Sequence, residues 1–439
     1  MQNFYKTILG KEGIAIHDLN SDLKLTYEEL NQRVIAFARA MSSGANGEGV
    51  VAIDLNKTYE YLVAQLACSY LKKPFLSLDK NQTERNIDII NDIKPEVIIK
   101  QMDCFIIDDK YTLINKECEY VVYSSGSTGK PKGIVLKGKP AIDIVSQQAT
   151  IIGIEPQDKY LWLLNTAFDA SLSDIYSTFI SGATLVIPNF ETTEVKKLVK
   201  TIQDYQINYI DLPPSMFKIF LNLSNKYDLS SLKAIVFGGE TAPQNETIEL
   251  SKKFKMIQAY GPTETTICSS MNIVSSEWVS SDIGAPMIGV EYKVEDNELL
   301  IAGDVVCLGY FNNDLLNKTR FIKKDGKVYY KTGDVVEISK GKYLYKGRKD
   351  RQFKLHSQLI CPEEIEVKAQ LSGATFAHIS FDEKIVLFYQ GDLDKNKFEK
   401  SIATYMKPNK YILLEGDMEK YLNANMKINH KALKDLMEK

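Results

Sequence analysis

The sequence has no paired cysteines. Its six cysteines are scattered along the chain without a CxxC pair: Cys68, Cys104, Cys118, Cys268, Cys307 and Cys361. Zinc sites and disulfide frameworks are usually recognised by closely or regularly spaced cysteines. The pattern therefore indicates neither.

The chain also lacks an excess of positive charge and a long apolar run. Its formal net charge is -3, so no basic field argues for nucleic acid or an anionic membrane as a partner. No uncharged apolar run approaches the roughly 18 residues of a membrane-spanning helix. The N-terminal stretch MQNFYKTILGKEGIAIHDLN has no apolar core of the secretion-signal type. The sequence alone thus predicts a cytoplasmic protein.

What the chain does contain is an alternation of short apolar runs and helical patterns over 439 residues. A chain of this length predicts two or more domains. GVVAIDL (Gly49–Leu55) has the composition of a buried strand, and YEYLVAQLACSYLKK (Tyr59–Lys73) has helical spacing. The alternation continues to Gly239, which predicts α/β layers with largely parallel sheets. After Gly289 the pattern changes to short strands and turns.

A basic stretch, KGRKDRQFK (Lys346–Lys354), precedes a small α+β segment. We place a large domain at residues 1–348, a hinge at 349–350 and a small domain at 351–439. The alternative is that this stretch is only a solvated run of charge.

One loop is rich in glycines, hydroxyls and lysines. Glycines free backbone amides to point at an anion, while hydroxyls and ammonium groups add donors and charge, so the loop suits a polyphosphate. Its candidate ligands are Ser124, Ser125, Gly126, Ser127, Thr128, Gly129, Lys130 and Lys132. It is not a Walker A loop, because only two residues separate the first two glycines and a strand-like IVLKG follows. The alternative is a polar hairpin turn.

This loop and seven further stretches resemble, in order, the motifs of the adenylate-forming superfamily. That superfamily includes amino-acid adenylation domains of nonribosomal peptide synthetases, D-alanine–carrier protein ligases, acyl-CoA synthetases and luciferases. The stretches are LTYEELNQRVIAFARAM, FDASLSDIY, FGGETAP, AYGPTETTI, YYKTGD, GRKDRQFKL and LNANMKINHKAL. The resemblance implies a large domain of layered α/β subdomains with a small β-barrel-like part, and a small mobile α+β domain.

The resemblance also implies a two-step reaction that requires ATP and Mg²⁺. A carboxylate attacks the α-phosphate of ATP to give an acyl-adenylate and pyrophosphate. A thiol, usually on a carrier protein's phosphopantetheine arm, then takes the acyl group. Because one anion attacks another in the first step, the enzyme must screen charge and position the reactants.

The resemblance assigns nucleotide contacts to the middle motifs. Tyr260 would stack on adenine, Thr263 would contact phosphate, and Glu264 would hold Mg²⁺. Gly239, Glu240 and Gly261 lie in the same nucleotide motifs. Taken alone, AYGPTET is a Gly-Pro turn followed by a helix-capping threonine.

The resemblance also implies roles for three residues near the predicted domain boundary. Asp334 would accept hydrogen bonds from the ribose hydroxyls, Arg348 would reach the ribose, and Asp350 would be the hinge. Taken alone, the TGD of residues 332–334 predicts a plain turn.

Lys427 is the predicted catalytic lysine. In the family this residue enters the cleft during adenylation and bridges the carboxylate and an oxygen on the α-phosphate side, a role suited to a point charge on a flexible stem. The alternative is an ordinary solvated lysine.

Asp169 in FDASLSD is assigned to the α-ammonium of an amino acid, although Ser171 and Asp174 also have the spacing of a helix capping box. The family's side-chain pocket maps onto Ala170, Ser173, Asp211, Val236, Gly238, Ala259, Ile267 and Cys268. Most of these are small, and Asp211 is charged. An unpaired buried carboxylate is costly, so we expect an arginine-like basic substrate first and tyrosine or tryptophan second. The alternative is that Asp211 only begins the helix after Pro213–Pro214.

The chain departs from the family at three positions. His356 and Ser357 replace a basic residue and a glycine in the loop that lines the thiol tunnel, and Met426 replaces the glycine before the lysine. Only twelve residues follow Lys427, so we expect a stand-alone enzyme that loads a separate carrier protein. The alternatives are a D-alanine–carrier ligase, an acyl-CoA-type ligase, and a binding protein that no longer turns over.

Overall fold

A computed structural model gives the fold of most of the chain. It describes residues 3–42, 47–102, 104–107, 110–124, 131–191, 194–355, 358–382, 384–416, 418–421 and 430–437. The phosphate-loop residues 125–130, the substituted positions 356, 357 and 426, and Lys427 lie outside the described residues.

The α/β part of the chain extends to residue 273. Its first elements are β1 (Ile14–Asp18), β2 (Leu23–Thr26), α1 (Tyr27–Ser42), β3 (Val51–Ile53), α2 (Tyr59–Tyr70), β4 (Phe75–Ser77), α3 (Thr83–Ile93), β5 (Val97–Gln101), β6 (Cys104–Ile107), β7 (Cys118–Ser124), β8 (Lys132–Lys137) and α4 (Gly138–Ile152). They are followed by β9 (Lys159–Leu161), α5 (Ala170–Ser181), β10 (Thr184–Ile187), α6 (Val195–Tyr205), β11 (Tyr209–Asp211), α7 (Phe217–Ser224), β12 (Ala234–Gly238), α8 (Gln244–Ser251), β13 (Lys255–Tyr260) and β14 (Ser270–Ile273). The predicted strand GVVAIDL thus contains β3, and the predicted helix that follows it contains α2.

The rest of the chain is richer in antiparallel strands. The next elements are β15 (Val290–Glu295), β16 (Glu298–Gly303), β17 (Gly309–Tyr310), α9 (Asp314–Arg320), β18 (Phe321–Lys324), β19 (Lys327–Ser339) and β20 (Lys342–Arg348). The last are β21 (Phe353–Leu355), β22 (Gln358–Ile360), α10 (Pro362–Leu371), β23 (Ala374–Asp382), β24 (Lys384–Gly391), α11 (Lys395–Ser401), β25 (Lys410–Leu413) and α12 (His430–Met437). Short 3₁₀ turns lie at Phe4–Ile8, Pro214–Met216, Thr263–Thr265, Thr404–Met406 and Met418–Tyr421. None of the described helices is both long and apolar enough to cross a bilayer.

Two large sheets hold the core of the α/β part. One has the strand order β14-β13-β12-β11-β9-β10-β1-β2, and the other β17-β8-β7-β4-β3-β5-β6. The inner strands pair in parallel, because helices cross over between them. A single apolar cluster joins the sheets and includes the fully buried Phe4, Trp162 and Tyr176. These layers confirm the predicted α/β fold class.

The β-rich part forms a twisted antiparallel sheet of β15, β16, β18, β19 and β20. The predicted TGD turn is wrong, since these residues lie inside the thirteen-residue strand β19. Lys331 and Val335 pair with Leu300 and Glu298, so three residues of β19 stand opposite one residue of β16. Gly333 has φ +76°, which is the glycine conformation typical of a bulge. The bulge turns the Asp334 side chain out of the regular alternation.

The segment after residue 350 forms its own small core. β23, β24 and β25 make a three-stranded sheet, and α10 and α11 pack against it through an apolar cluster that includes Ile365, Leu387 and Phe398. This segment also contacts the α/β part. Arg85 on α3 and Glu364 on α10 form a buried ion pair with a nitrogen–oxygen distance of 2.8 Å.

Candidate active site

The phosphate loop joins two antiparallel strands. Ser124 at the end of β7 pairs with Lys132 at the start of β8, so the loop connects two neighbouring strands of the seven-stranded sheet. The hydroxyl of Ser124 is buried and has no hydrogen-bond partner among the described residues. An anion in the loop would give this donor a partner.

Glu264, the predicted metal ligand, is held beside β8 by two side chains. The Lys132 Nζ atom lies 3.0 Å from Glu264 Oε1, and the Tyr310 hydroxyl donates a hydrogen bond to the same oxygen at 2.7 Å. The Lys132 ammonium also lies 4.9 Å from the centre of the Tyr310 ring. Sequence reasoning missed Tyr310, which β17 brings beside β8.

The electrostatics of Glu264 fit a cation. Burial by itself raises the pKa of this carboxyl, but the Lys132 charge and the Tyr310 hydrogen bond outweigh burial and lower it to about 2. Glu264 is therefore anionic at neutral pH. Among the described residues, no group of three or more His, Cys, Asp or Glu side chains forms a metal site unaided. One carboxylate is what Mg²⁺ needs when phosphates and water supply its other ligands.

The predicted adenine and ribose residues contact one another directly. The Tyr260 hydroxyl donates to Asp334 Oδ2, and Arg348 Nη1 donates to Asp334 Oδ1 at 2.7 Å. Two of these three residues, Tyr260 and Arg348, line a cavity of about 520 Å³. Its lining also includes Gly239, Glu240, Thr241, Gln258, Ala259 and Lys354. A space of this size and polarity is suited to a nucleoside.

Two residues at this cavity make contacts that the sequence did not predict. Glu240 Oε1 accepts a hydrogen bond from the Ser215 amide at 2.9 Å, so this carboxylate supports the turn after β11 while also lining the cavity. Lys354, which the sequence presents only as part of a run of charge, is half-buried, and its Nζ atom lies 5.3 Å from the centre of the Tyr260 ring. Burial lowers the pKa of this ammonium.

Asp169 lies beside the phosphate-contact motif. Its Oδ1 atom accepts a hydrogen bond from the Thr263 hydroxyl at 3.2 Å, and its Oδ2 atom accepts one from the Ile267 amide at 3.2 Å. Burial raises the pKa of Asp169 to about 6, against the effect of these hydrogen bonds. A cationic ammonium would offset that cost of burial.

The capping interpretations of these motifs are wrong. Asp169 precedes the first residue of α5 but makes no side-chain cap. The Ser171 hydroxyl accepts a hydrogen bond from Trp162 Nε1 at 2.8 Å, so it is not part of a capping box. Thr263 likewise bonds to Asp169 rather than capping a helix.

Gly261 is required by close packing of the backbone, since a Cβ atom at this position would lie 2.5 Å from the Cα of Cys268.

Four of the predicted pocket residues lie toward the carboxyl ends of neighbouring parallel strands. Asp211 ends β11 opposite Val236 of β12, and Gly238 lies opposite Ala259 of β13. The carboxyl ends of parallel strands are where α/β sheets bind ligands. A Cβ atom at position 238 would lie 2.3 Å from the Ala259 carbonyl oxygen, so only glycine fits there.

A glutamine that the sequence did not reveal joins two of the predicted pocket residues, Ser173 and Cys268. The Ser173 hydroxyl donates to Gln148 Oε1 at 2.9 Å, and Gln148 Nε2 donates to Cys268 Sγ at 3.0 Å. Gln148 lies on α4, remote in sequence from both partners, and is 1% exposed. The Cys268 thiol is held neutral, because burial raises its pKa to about 12.

Asp211 is half-buried, and burial raises its pKa to about 7. It does not begin the following helix, since the turn there starts at Pro214 and its Ser215 amide bonds to Glu240. A second carboxyl, Asp174, lies nearby, and the sequence suggested only a capping role for it. It is fully buried, and burial and the Asp211 charge raise its pKa. Lys57, which donates to the carbonyl of Leu163 at 3.1 Å, is a cation that partly offsets this effect.

Comparison with known proteins identifies the family of the chain. The family model described as AMP-binding enzyme matches residues 10–112 and 108–311. The chain belongs to the AMP-binding enzyme family, whose members use ATP. It is 27% identical to bacitracin synthase 3 of Bacillus licheniformis over 94% of its own length, and 28% identical to surfactin synthase subunit 2 of Bacillus subtilis over 85%. The chain spans only 7% and 12% of those relatives.

Solved structures share the fold. An artificially fused adenylation–PCP di-domain of NpsA and ThdA from Klebsiella oxytoca superposes with a TM-score of 0.81 at 20% identity, covering 94% of this chain and 93% of the other. The o-succinylbenzoate CoA synthetase MenE of Bacillus subtilis gives a TM-score of 0.83 at 22% identity, covering 99% and 98%. The AMP-binding fold therefore accounts for nearly the whole chain, including the segment after residue 350.

Proposed function

We propose that this AMP-binding enzyme adenylates an amino acid with ATP and transfers it to the phosphopantetheine thiol of a separate carrier protein. The observation that carries the proposal is the position of Asp169. Its carboxylate contacts Thr263, which directly precedes the metal-ligand candidate Glu264. A site for an ammonium group thus adjoins a site for a metal–phosphate group, as the adenylation of an amino acid requires.

In the first step the substrate carboxylate attacks the α-phosphate, and pyrophosphate leaves. Asp169 holds the ammonium, while Lys132 and the loop hold the outgoing phosphates. Mg²⁺ at Glu264 would neutralise phosphate charge during this step. Tyr260 and Asp334 orient the nucleoside. Lys427 supplies the remaining positive charge as the new bond forms, a contact stronger in the transition state than in the ground state.

In the second step the thiol attacks the acyl carbon, and AMP leaves. The similarity to an adenylation–PCP di-domain supports a carrier protein as the thiol donor. The similarity to a CoA synthetase keeps an acyl-CoA ligase as the second candidate. Asp169 favours the first candidate, because an acid without an amino group would leave this buried carboxylate unpaired.

For the side chain we propose a basic group. Asp211 ends its strand at the pocket, and Asp174 adds a second carboxyl that interacts electrostatically with it. A guanidinium or ammonium group would supply the positive charge that these two carboxyls need when ionised. Tyrosine and tryptophan remain the second candidates for the substrate.

Pyrophosphate exchange tests the proposal. A panel of amino acids is compared with the matching acids that lack the α-amino group, and D-alanine is included. We expect exchange with a basic amino acid and at least about tenfold less with its deaminated form, the order of one lost ionic contact. Equal exchange with the deaminated acids would favour an acyl-CoA-type ligase, and preference for D-alanine would favour a D-alanine ligase. No exchange with any acid would favour the binding-protein alternative.

A further inference from the structure

Asp350, the predicted hinge residue, is held by two arginines. Arg348 Nε lies 2.8 Å from Asp350 Oδ1, and Arg348 Nη2 lies 3.1 Å from Oδ2. Arg320 Nη2 binds the same Oδ2 atom at 3.2 Å. Both carboxylate oxygens are therefore bound. We call this group of Arg320, Arg348 and Asp350 the arginine clamp.

The two arginines reach Asp350 from different elements. Arg348 ends β20 and leads directly into the hinge, whereas Arg320 is the last residue of α9 and lies thirty residues from Asp350 in sequence. Arg320 thus ties the hinge to a separate part of the large domain. Neither the family resemblance nor the motif order pointed to this residue.

Gly333 makes room for the clamp. A Cβ atom on Gly333 would lie 2.8 Å from Arg348 Nη2, 3.2 Å from Arg320 Nη1 and 3.4 Å from Asp350 Oδ2. The Gly333 carbonyl also accepts a hydrogen bond from the Lys349 amide at 2.8 Å. The bulge of β19 therefore forms the base of the clamp and also carries Asp334, which binds the Tyr260 hydroxyl.

The charges of the clamp are mutually stabilised. Burial alone would raise the pKa of Asp350, but the two arginines lower it overall. Burial alone would lower the pKa of Arg320, but Asp350 and the nearby Tyr330 and Tyr310 hydroxyls raise it. Arg320 is only about one-quarter exposed, with 26% of its side chain accessible, so solvent screens the ion pair less than it would on an open surface.

The clamp continues in both directions along the chain. Arg348 Nη1 binds Asp334, which also binds Tyr260, so the clamp shares an arginine with the nucleotide site. On the other side, Arg348 Nη2 binds Gln352 Oε1 at 3.0 Å. The clamp therefore fixes the path of residues 350 to 352, where the chain passes from the large domain to the small one.

We propose that Arg320 is a positioning residue for the hinge: with Arg348 it holds Asp350, and through it the small domain, in the orientation seen here. The proposal rests on the proposed two-step function, in which the small domain turns between the two reactions. The proposal requires that such a turn, which changes the backbone angles at Asp350, also breaks the contacts with Arg320. Arg320 then sets how readily the enzyme leaves this orientation without touching either substrate.

The test compares Arg320→Ala and Arg320→Lys with the wild type, and uses Arg39→Ala on the exposed end of α1 as the matched control. The first readout is native-state trypsin cleavage within residues 346–354, mapped by mass spectrometry, which needs no substrate. Loss of a partly buried ion pair predicts cleavage about fivefold faster in Arg320→Ala. Arg320→Lys keeps the charge but has fewer donors, so we expect an intermediate rate. Arg39→Ala should cleave at the wild-type rate.

The second readout is the ratio of two activities, namely pyrophosphate exchange and aminoacyl transfer to free pantetheine. We expect Arg320→Ala to change this ratio by at least about threefold, because one orientation is lost more than the other. Unchanged hinge cleavage together with an unchanged ratio would overturn the proposal. An equal fall of both activities with unchanged cleavage would also overturn it. Absence of all exchange in the wild type would remove the proposed function and still leave the cleavage test of the clamp.

Discussion

The hydroxyl of Thr263 donates a hydrogen bond to Asp169 Oδ1 at 3.2 Å. Thr263 belongs to the motif that carries Glu264, and Asp169 directly precedes the helix that carries the pocket residue Ser173. The contact joins the proposed phosphate-binding motif to the residue proposed to bind the amino group. A substrate held by Asp169 would therefore present its carboxylate close to the phosphates, and such positioning lowers the barrier of a reaction between two anions.

Asp169→Asn should abolish most adenylation while leaving ATP binding close to normal. The amide lacks the charge that pairs with the substrate ammonium, and a buried charge-assisted contact contributes about 2–3 kcal/mol, or roughly 30- to 150-fold in kcat/KM for the amino acid. Pyrophosphate exchange and calorimetric titration of ATP measure the two effects. Asp204→Asn, an exposed aspartate on α6, is the matched control. Wild-type kcat/KM in Asp169→Asn would contradict the assignment.

For a basic substrate, kcat/KM should rise as pH increases from 6 to 8. Burial raises the pKa of Asp211 to about 7, so this carboxyl is neutral below that pH and anionic above it. Only the anion attracts a cationic side chain, and kcat/KM reports the free enzyme. Asp211→Asn should remove this part of the pH profile and lower kcat/KM at pH 8 by at least about tenfold. An unchanged substrate preference and pH profile in the variant would remove the basis for ranking a basic side chain first.

Lys427→Ala should slow adenylation by about 10²–10³-fold, the order expected when one charge contact made chiefly in the transition state is lost. Affinity for ATP should change little, because the family resemblance implies that this lysine enters the cleft only during adenylation. Stopped-flow single-turnover kinetics separate binding from chemistry. Arg39→Ala again serves as a control for removal of an unrelated surface charge. Near-normal exchange in Lys427→Ala would mean that another group supplies this charge.

Asp350→Pro should impair one half-reaction more than the other. Proline restricts φ at the hinge and so favours one domain orientation. Asp350→Ala is the matched variant, because it removes the carboxylate from the arginine clamp without restricting φ. Exchange and pantetheine transfer are measured for both variants after circular dichroism shows that each is folded. An equal loss of both activities in Asp350→Pro would place the pivot elsewhere.

The order of motifs predicted which residues meet, but not how they meet. Tyr260, Asp334 and Arg348 were expected in one nucleotide site, and the structure brings them into direct contact. TGD was expected to be a turn because glycine and aspartate favour turns, and only the pairing of β19 with β16 reveals the bulge. A bulge depends on how two strands pair, so the sequence of one strand alone does not predict it.

The residues that were not predicted from the sequence were missed for one physical reason. Gln148, Tyr310 and Arg320 act on partners that are remote in sequence, and each lies in a stretch whose local pattern is an ordinary helix or strand. Their roles arise from the packing of one element against another. Asp174 was noted in the sequence, but its spacing from Ser171 suggested a helix capping box. Its complete burial and its electrostatic interaction with Asp211 are visible only in the structure.

Transfer of oxygen from substrate to AMP tests the central claim most directly. The preferred amino acid, labelled with ¹⁸O in its carboxylate, is incubated with ATP, Mg²⁺ and the enzyme, and hydroxylamine serves as the acceptor so that no carrier is needed. Attack of the carboxylate on the α-phosphate leaves one labelled oxygen in the bridge, and cleavage of the acyl–oxygen bond then releases it with AMP. The account predicts AMP heavier by one ¹⁸O atom and unlabelled pyrophosphate in the mass spectrum. Unlabelled AMP would contradict it. Formation of ADP, with the label in inorganic phosphate, would also contradict it.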